Sequence, residues 1–94
     1  MGIEKVTVCG GGNGAQTLVP IASSGLGCSV DLYAPFGDEA ERLQGTIRLT
    51  GAVEAEAAPR RASADPAEVI PGSELVILVV PAFAHEATLR QIVP

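Results

Sequence analysis

Tryptophan is absent from the 94 residues, and aromatic residues make up only 3 % of them. Six Lys and Arg stand against eleven Asp and Glu, a formal charge of −5, and only Arg60 and Arg61 are adjacent. With neither a basic stripe nor an aromatic stacking platform, no nucleic-acid partner is expected. No apolar run approaches the ~20 residues that a bilayer span requires. The N-terminus enters a strand pattern directly, without the charged region, apolar stretch and cleavage site of a signal peptide. A soluble, cytoplasmic protein with no membrane partner is the expectation.

Cysteine and histidine are almost as scarce, at two and one. Cys9 closes the first apparent strand and Cys28 opens the second. If those strands lie side by side and parallel, the thiols sit on the order of 15 Å apart at ~3.3 Å per residue. A disulfide needs Cα atoms within about 7 Å. Both thiols should therefore be reduced, buried and structural. One His and two separated Cys also make no metal-ligand cluster, so no metal is expected. What the chain has in surplus is apolar content, 47 % hydrophobic residues with a mean hydropathy of +0.33. Small domains bury a smaller share of their surface than large ones. The surplus points to a piece that packs against more protein.

The pattern along the chain is α/β. Lys5 to Cys9 (KVTVC) reads as a buried strand. From Asn13 to Ser24 the apolar residues Ala15, Leu18, Val19 and Ala22 share one helix face, with Gly25 and Gly27 as the stop. Pro20 interrupts that helix and predicts a kink or a locally loosened turn. Residues 28–34 (CSVDLYA) form a second strand, and a short helix runs from Gly37 to Leu43. Thr46 to Thr50 and Val53 to Ala57 alternate around Gly51, a hairpin signal. Pro59 to Asp65 reads as a loop with room for a brief strand. Asp65-Pro66 starts a helix, with Asp as N-cap and Pro at the first helical position. Residues 74–80 (ELVILVV) are apolar without alternation, as in a parallel strand covered on both faces. Phe83 to Ile92 then reads as a helix.

Strands alternating with helices give parallel, right-handed crossovers. The expected fold is a Rossmann-like, partial doubly wound parallel sheet with an inserted β-hairpin, in which strand 74–80 packs beside strand 5–9. The stretch Gly10-Gly11-Gly12-Asn13-Gly14-Ala15 fits G-x-G-x-x-G/A between a strand and a helix, the context that gives this pattern its weight. Gly10 permits the tight turn, Gly12 lets backbone approach a pyrophosphate, and Ala15 allows close helix–strand packing. The helix N-terminus adds free N–H groups and about half a positive charge. A ribose-binding carboxylate is expected ~20 residues on, at the end of the second strand. Asp31 is near that distance but mid-strand, followed by Leu32 and Tyr33, and reads as structural. The strand-terminal residue is Ala34. No carboxylate there excludes a 2′-phosphate, so NAD and NADP both stay open.

VTVCGGGNGAQTL, DEAERL and ELVILVVPAFAHEATLRQIVP resemble the N-terminal NAD(P)-binding domain of the octopine/nopaline (opine) dehydrogenase family. The CGGGNGA turn and the VPAFAH segment carry most of the likeness, which spans nearly the whole chain. Ketopantoate reductases and glycerol-3-phosphate dehydrogenases share the turn in looser form. The resemblance implies an NAD(P)-dependent oxidoreductase that condenses an α-keto acid with an amino acid and reduces the imine. It also implies that Gly10, Gly12, Asn13, Gly14 and Ala15 line the pyrophosphate, while Pro81, Ala82 and Phe83 border the cofactor crevice. The family's catalytic histidine belongs to a later helical domain.

Residues 1–94 are accordingly expected to be the N-terminal part of a dinucleotide-binding domain. The rest of that domain and the catalytic domain would be missing partners, so this piece by itself would be inactive. No catalytic residue is assigned within it. His85 reads as an exposed first-turn residue, since no carboxylate or nucleophile is evident to orient it. The rival readings are an enzyme like the ketopantoate reductases or glycerol-3-phosphate dehydrogenases, and a non-catalytic dinucleotide-binding module.

Overall fold

Short β-rich runs bounded by glycine and proline can do little but pair with one another, and four of them do so in one parallel sheet. The computed structural model describes residues 4–25, 27–35, 38–49 and 55–93. In chain order the elements are β1 (Lys5–Cys9), α1 (Asn13–Pro20), β2 (Ser29–Tyr33), α2 (Glu39–Arg42), β3 (Ile47–Leu49) and β4 (Ala55–Ala57). They continue with β5 (Arg61–Ser63), α3 (Pro66–Val69), β6 (Leu75–Leu78) and α4 (His85–Ile92). The sheet order is β5-β2-β1-β6, all parallel. β6 pairs with β1, Val6 opposite Leu75 and Cys9 opposite Leu78, as expected from the sequence. β3 and β4 form a separate antiparallel pair in which Ile47 faces Ala57. The expected hairpin centre, Gly51, and the expected helix start, Gly37, lie outside the described residues.

The two faces of the sheet differ in chemistry because side chains alternate along each strand. Val6, Val8, Val30, Leu32 and Ala62 pack with Ala15, Val19 and Ala22 into the larger apolar core. Each fully buried Val or Leu there contributes roughly 1.5–3 kcal/mol. On the opposite face, Cys9 and Tyr33 pack with Val69, and Val76, Leu78 and Ile92 close around them. The Tyr33 hydroxyl donates to Gln91 Oε1 at 2.7 Å, tying α4 to the sheet.

Asp31 sits on this second face with its side chain completely buried. Arg60 grips it with a two-pronged contact, Nε to Oδ1 at 2.9 Å and Nη2 to Oδ2 at 2.6 Å. Lys5 Nζ lies 3.4 Å from Oδ2 and also donates to the carbonyls of Val69 (3.0 Å) and Pro71 (2.7 Å). Thr7 Oγ1 donates to Val69 O at 2.9 Å. The structural reading of Asp31 thus has its physical content: a buried carboxylate needs paired donors, and these come from β1 and from the residue preceding β5.

Several expectations need adjustment. The brief strand in 59–65 is real and forms one edge as β5. β2 and β6 are shorter than 28–34 and 74–80, spanning Ser29–Tyr33 and Leu75–Leu78, although one further backbone bond continues each exit, Ala34 N–H to Ser63 O and Val79 N–H to Cys9 O. β6 is not covered on both faces: Leu75 is 40 % exposed, and Val76, Ile77 and Leu78 are half-buried. Among the described residues β6 is an edge strand, which leaves its flanks open. Pro20 behaves as expected, with α1 passing into a wider π-type turn over Ile21–Gly25. Without an N–H, proline cannot complete the α ladder. Asp65 caps α3 by accepting from the Ala67 N–H at 3.0 Å, with Pro66 in the first turn. The helix expected from Phe83 opens with a 3₁₀ turn, Ala82–Ala84, before α4.

Neither cysteine forms a disulfide, but Cys28 is only half-buried, against the expectation that both are inside. It precedes β2, at the sheet end where the core thins. Burial pushes the Cys9 thiol from 9.0 up to about 11. At pH 8, alkylation of the native protein should therefore spare Cys9, with modification only after unfolding, as read by peptide mass spectrometry. Because the native thiol holds its proton more tightly than the unfolded one, its contribution to stability persists below about pH 9 and declines as pH rises towards 11. Separately, Arg60→Met should cost about 1.5–3 kcal/mol in urea unfolding. Adding Asp31→Asn should recover part of that loss, since no buried charge then lacks its partner.

Candidate functional site

The chain leaves β1 and turns into α1 through Gly10, Gly11 and Gly12, and the turn is shaped by what lies beside it. Gly10 has φ +137°, a conformation that L side chains rarely adopt, and its N–H donates to Tyr33 O at 2.8 Å. A Cβ on Gly10 would fall on the carbonyl oxygen of Val79. Val79 in turn donates its N–H to Cys9 O at 2.9 Å, so the exits of β1 and β6 are held together. A Cβ on Gly14 would come within 2.9 Å of Val79 Cγ1. The close helix–sheet approach thus falls to Gly14, while Ala15, fully buried, packs its methyl over Gly10.

Gly12 is different. It stands at the N-terminus of α1, and among the described residues no atom beyond its chain neighbours and its own helix backbone lies within 4 Å of where its Cβ would be. The first N–H groups of a helix have no intrahelical acceptor. No acidic side chain occupies the first turn of α1 to offset their partial positive charge. Gln16, a residue the sequence reading passed over, donates from Nε2 to Gly11 O at 2.9 Å and its own N–H bonds Gly12 O at 2.9 Å. Both bonds pin turn carbonyls on the helix side. The result is an open backbone cradle suited to an anion.

Pro81, Ala82 and Phe83 follow β6 and leave the sheet at the same end as the glycine turn. Phe83 is 89 % exposed. His85 is exposed, as expected, and its Nε2 lies 3.0 Å from the carbonyl of Val80, bracing the β6–α4 connection. Glu86, its neighbour, faces away and pairs with Arg90 at 2.6 Å. The strand order reverses between β1 and β6, the place where sheets of this type leave a crevice beyond the strand ends.

One further side chain enters the turn. Glu39, at the start of α2, lays its carboxylate against Gly11, where any Cβ would overlap it. Its Oε1 is buried and has no hydrogen-bond partner among the described residues. Sequence reasoning looked for a carboxylate at the end of β2 and missed this one, which reaches the turn only through the fold.

No family model matches the chain. It is 43 % identical over 101 residues to octopine dehydrogenase of Mizuhopecten yessoensis, and 33 % identical over 107 residues to opine dehydrogenase of Haliotis discus hannai. Those stretches cover 96 % and 97 % of this chain, but 25 % and 26 % of the relatives. The chain therefore spans about a quarter of the length of the curated relatives it matches. A solved octopine dehydrogenase in complex with NADH and agmatine superposes with a TM-score of 0.81 at 40 % identity, over 95 % of this chain and 25 % of that one. The chain is thus similar to the octopine and opine dehydrogenases over about a quarter of their length.

The geometry separates the glycines by what each substitution should cost. Gly10→Ala should destabilise the fold by about 1–3 kcal/mol from backbone conformation alone, with the overlap on Val79 adding to it. Gly12→Ala should stay within about 0.5 kcal/mol of the parent. Paired urea-unfolding curves of the full-length protein check both.

Proposed function

We propose that this chain is the cofactor-binding portion of an opine-dehydrogenase-like oxidoreductase and that it takes NADH. Gly10, Gly12, Asn13, Gly14 and Ala15 form the pyrophosphate cradle, and Pro81, Ala82 and Phe83 border the crevice beyond β6. The observation that carries this reading is the clear space over Gly12 at the N-terminus of α1, beside the point where strand order reverses. The kinship with an enzyme solved with NADH supports the choice of dinucleotide.

In this reading each residue has a physical task. Gly10 turns the chain so that the N–H groups opening α1 point towards the crevice. Gly12 keeps that approach free of any side chain. Gly14 and Ala15 hold α1 against Val79 and Gly10, so the donors do not shift when an anion arrives. An acidic protein can then bind an anion through fixed backbone dipoles instead of net charge. The bound dinucleotide supplies the hydride that reduces an imine formed between an α-keto acid and an amino acid. His85 acts in bracing the crevice wall, because its ring nitrogen is engaged by the Val80 carbonyl. Acid–base catalysis and substrate recognition belong to the remainder of the full-length protein.

Fluorescence titration of the full-length protein with NADH tests this. Saturable binding is expected, and Gly12→Val should weaken it by about 10- to 100-fold, the equivalent of one overpacked contact. Circular dichroism and the melting temperature should be nearly unchanged. Equal affinity in the parent and Gly12→Val would remove the cradle from this position.

A further inference from the structure

A cradle built of glycine has a weakness that follows from its openness. Glycine populates more backbone conformations than any other residue, and the peptide joining Gly11 to Gly12 has one on each side. That unit is planar and trans, so its carbonyl and its N–H point in opposite directions. A turn of the plane would exchange them, setting a carbonyl oxygen where an N–H donor had been. Neither glycine has a side chain to prevent this. The plane is held from outside: Gln16 Nε2 donates to Gly11 O at 2.9 Å, in a half-buried bond that reaches back five residues. The choice of donor matters as much as the bond. In a helix continued backwards, Gly11 O would take the N–H of Ala15, four residues on. The chain stops that at Gly12, whose φ of −85° and ψ of −171° are extended. Gln16 gives the Gly11 carbonyl a side-chain partner in place of that N–H, and its own backbone N–H goes to Gly12 O at 2.9 Å. One residue thus satisfies both carbonyls at the entry of α1, while the N–H groups from Gly12 to Ala15 keep no acceptor within the helix.

We infer that Gln16 is a positioning residue for dinucleotide binding, whose amide locks the Gly11–Gly12 peptide with its carbonyl turned from the phosphates and its N–H presented to them. This rests on the reading of residues 10–15 as the pyrophosphate cradle. Gln16 acts through the Gly11 carbonyl and needs no contact with the ligand. A carbonyl oxygen swung towards a pyrophosphate would set its partial negative charge against the anion. Binding would then have to turn the plane back, and that reorganisation would weaken it. A donor already aimed before the ligand arrives avoids the loss. Glutamine suits the task because its side chain is long enough to reach past the N-cap. Its amide is also neutral, so it orients the peptide without adding a charge that would draw the phosphates to itself.

The experiment is NADH titration of the full-length protein by fluorescence, with no turnover measured, for the parent, Gln16→Met and Gln16→Glu. Methionine keeps the length and shape of glutamine but has no N–H to donate. It should weaken NADH by about three- to tenfold, the range of one neutral hydrogen bond. Glutamate keeps the reach, has no proton to give at neutral pH and sets a negative charge beside the Gly11 oxygen. It should weaken NADH by more than about tenfold. The phosphorus NMR resonances of the bound pyrophosphate should shift between the parent and Gln16→Met, because the donors around it have turned. Ligand-free melting temperatures should stay within about 2–4 °C. Parental NADH affinity in both variants would overturn the role of Gln16 while leaving the cradle intact. So would an affinity loss with unchanged phosphorus resonances, which would reduce the bond to a support of the fold. Failure of the parent to bind NADH would instead overturn the reading of residues 10–15.

Discussion

The contact that organises this molecule is the approach of the Gly10 backbone to the carbonyl of Val79, so close that a single added carbon would collide. β1 and β6 could pair as strands without it. What the contact adds is the placement of their exits: the Val79 N–H bonds Cys9 O, and the chain after β1 turns at once instead of continuing outward. α1 then begins directly beside β6, with Gly14 against Val79 and Ala15 over Gly10. The direction of the helix N-terminus, the open space at Gly12 and the place of Pro81 to Phe83 all follow from that packing. A site made of backbone has few side chains to adjust, so its precision must come from how tightly its supports are packed.

The two faces of the sheet divide the work. The face under α1 is apolar and holds the strands by burial alone. The other face carries Asp31, whose partners Lys5 and Arg60 come from separate segments. A buried ion pair adds little net stability over apolar packing of the same volume. It does penalise every arrangement in which the carboxylate is left without donors. β2 can take its place between β1 and β5 only in the register that delivers both cations, an arrangement that non-directional burial could not single out.

The features legible in the sequence are those that depend on local backbone chemistry. Strand, glycine turn and helix appear in KVTVCGGGNGA because only glycine tolerates Gly10's conformation. Asp65-Pro66 announces α3 because its cap is formed within three residues. The adjacency of β1 and β6 followed from the strand-order reversal that a doubly wound sheet places beside its glycine turn. Long-range approaches were not legible. Gly14 looked like a helix residue, and its closeness to Val79 depends on a strand some sixty residues later. Glu39 looked like an ordinary first-turn glutamate, since nothing local tells that its carboxylate meets Gly11. The apolar run of β6 suggested cover on both faces. Composition reports how greasy a strand is, not which neighbours it has.

Pro20 sets a phase. An i→i+5 turn holds one residue more than an α turn, so everything after residue 20 is rotated back relative to a continuous α-helix. In that rotated setting Ala22 stays in the core and accepts from the Cys28 N–H at 3.0 Å, which steers the chain into β2. Ser24 comes round to donate its hydroxyl to the Glu56 carbonyl of β4 at 3.1 Å. The proline thus works like an indexing pin: the missing amide hydrogen fixes how far the helix tail is turned, and that angle locates the antiparallel pair against the sheet. The placement of the antiparallel pair is inherited from a residue that belongs to neither of its strands.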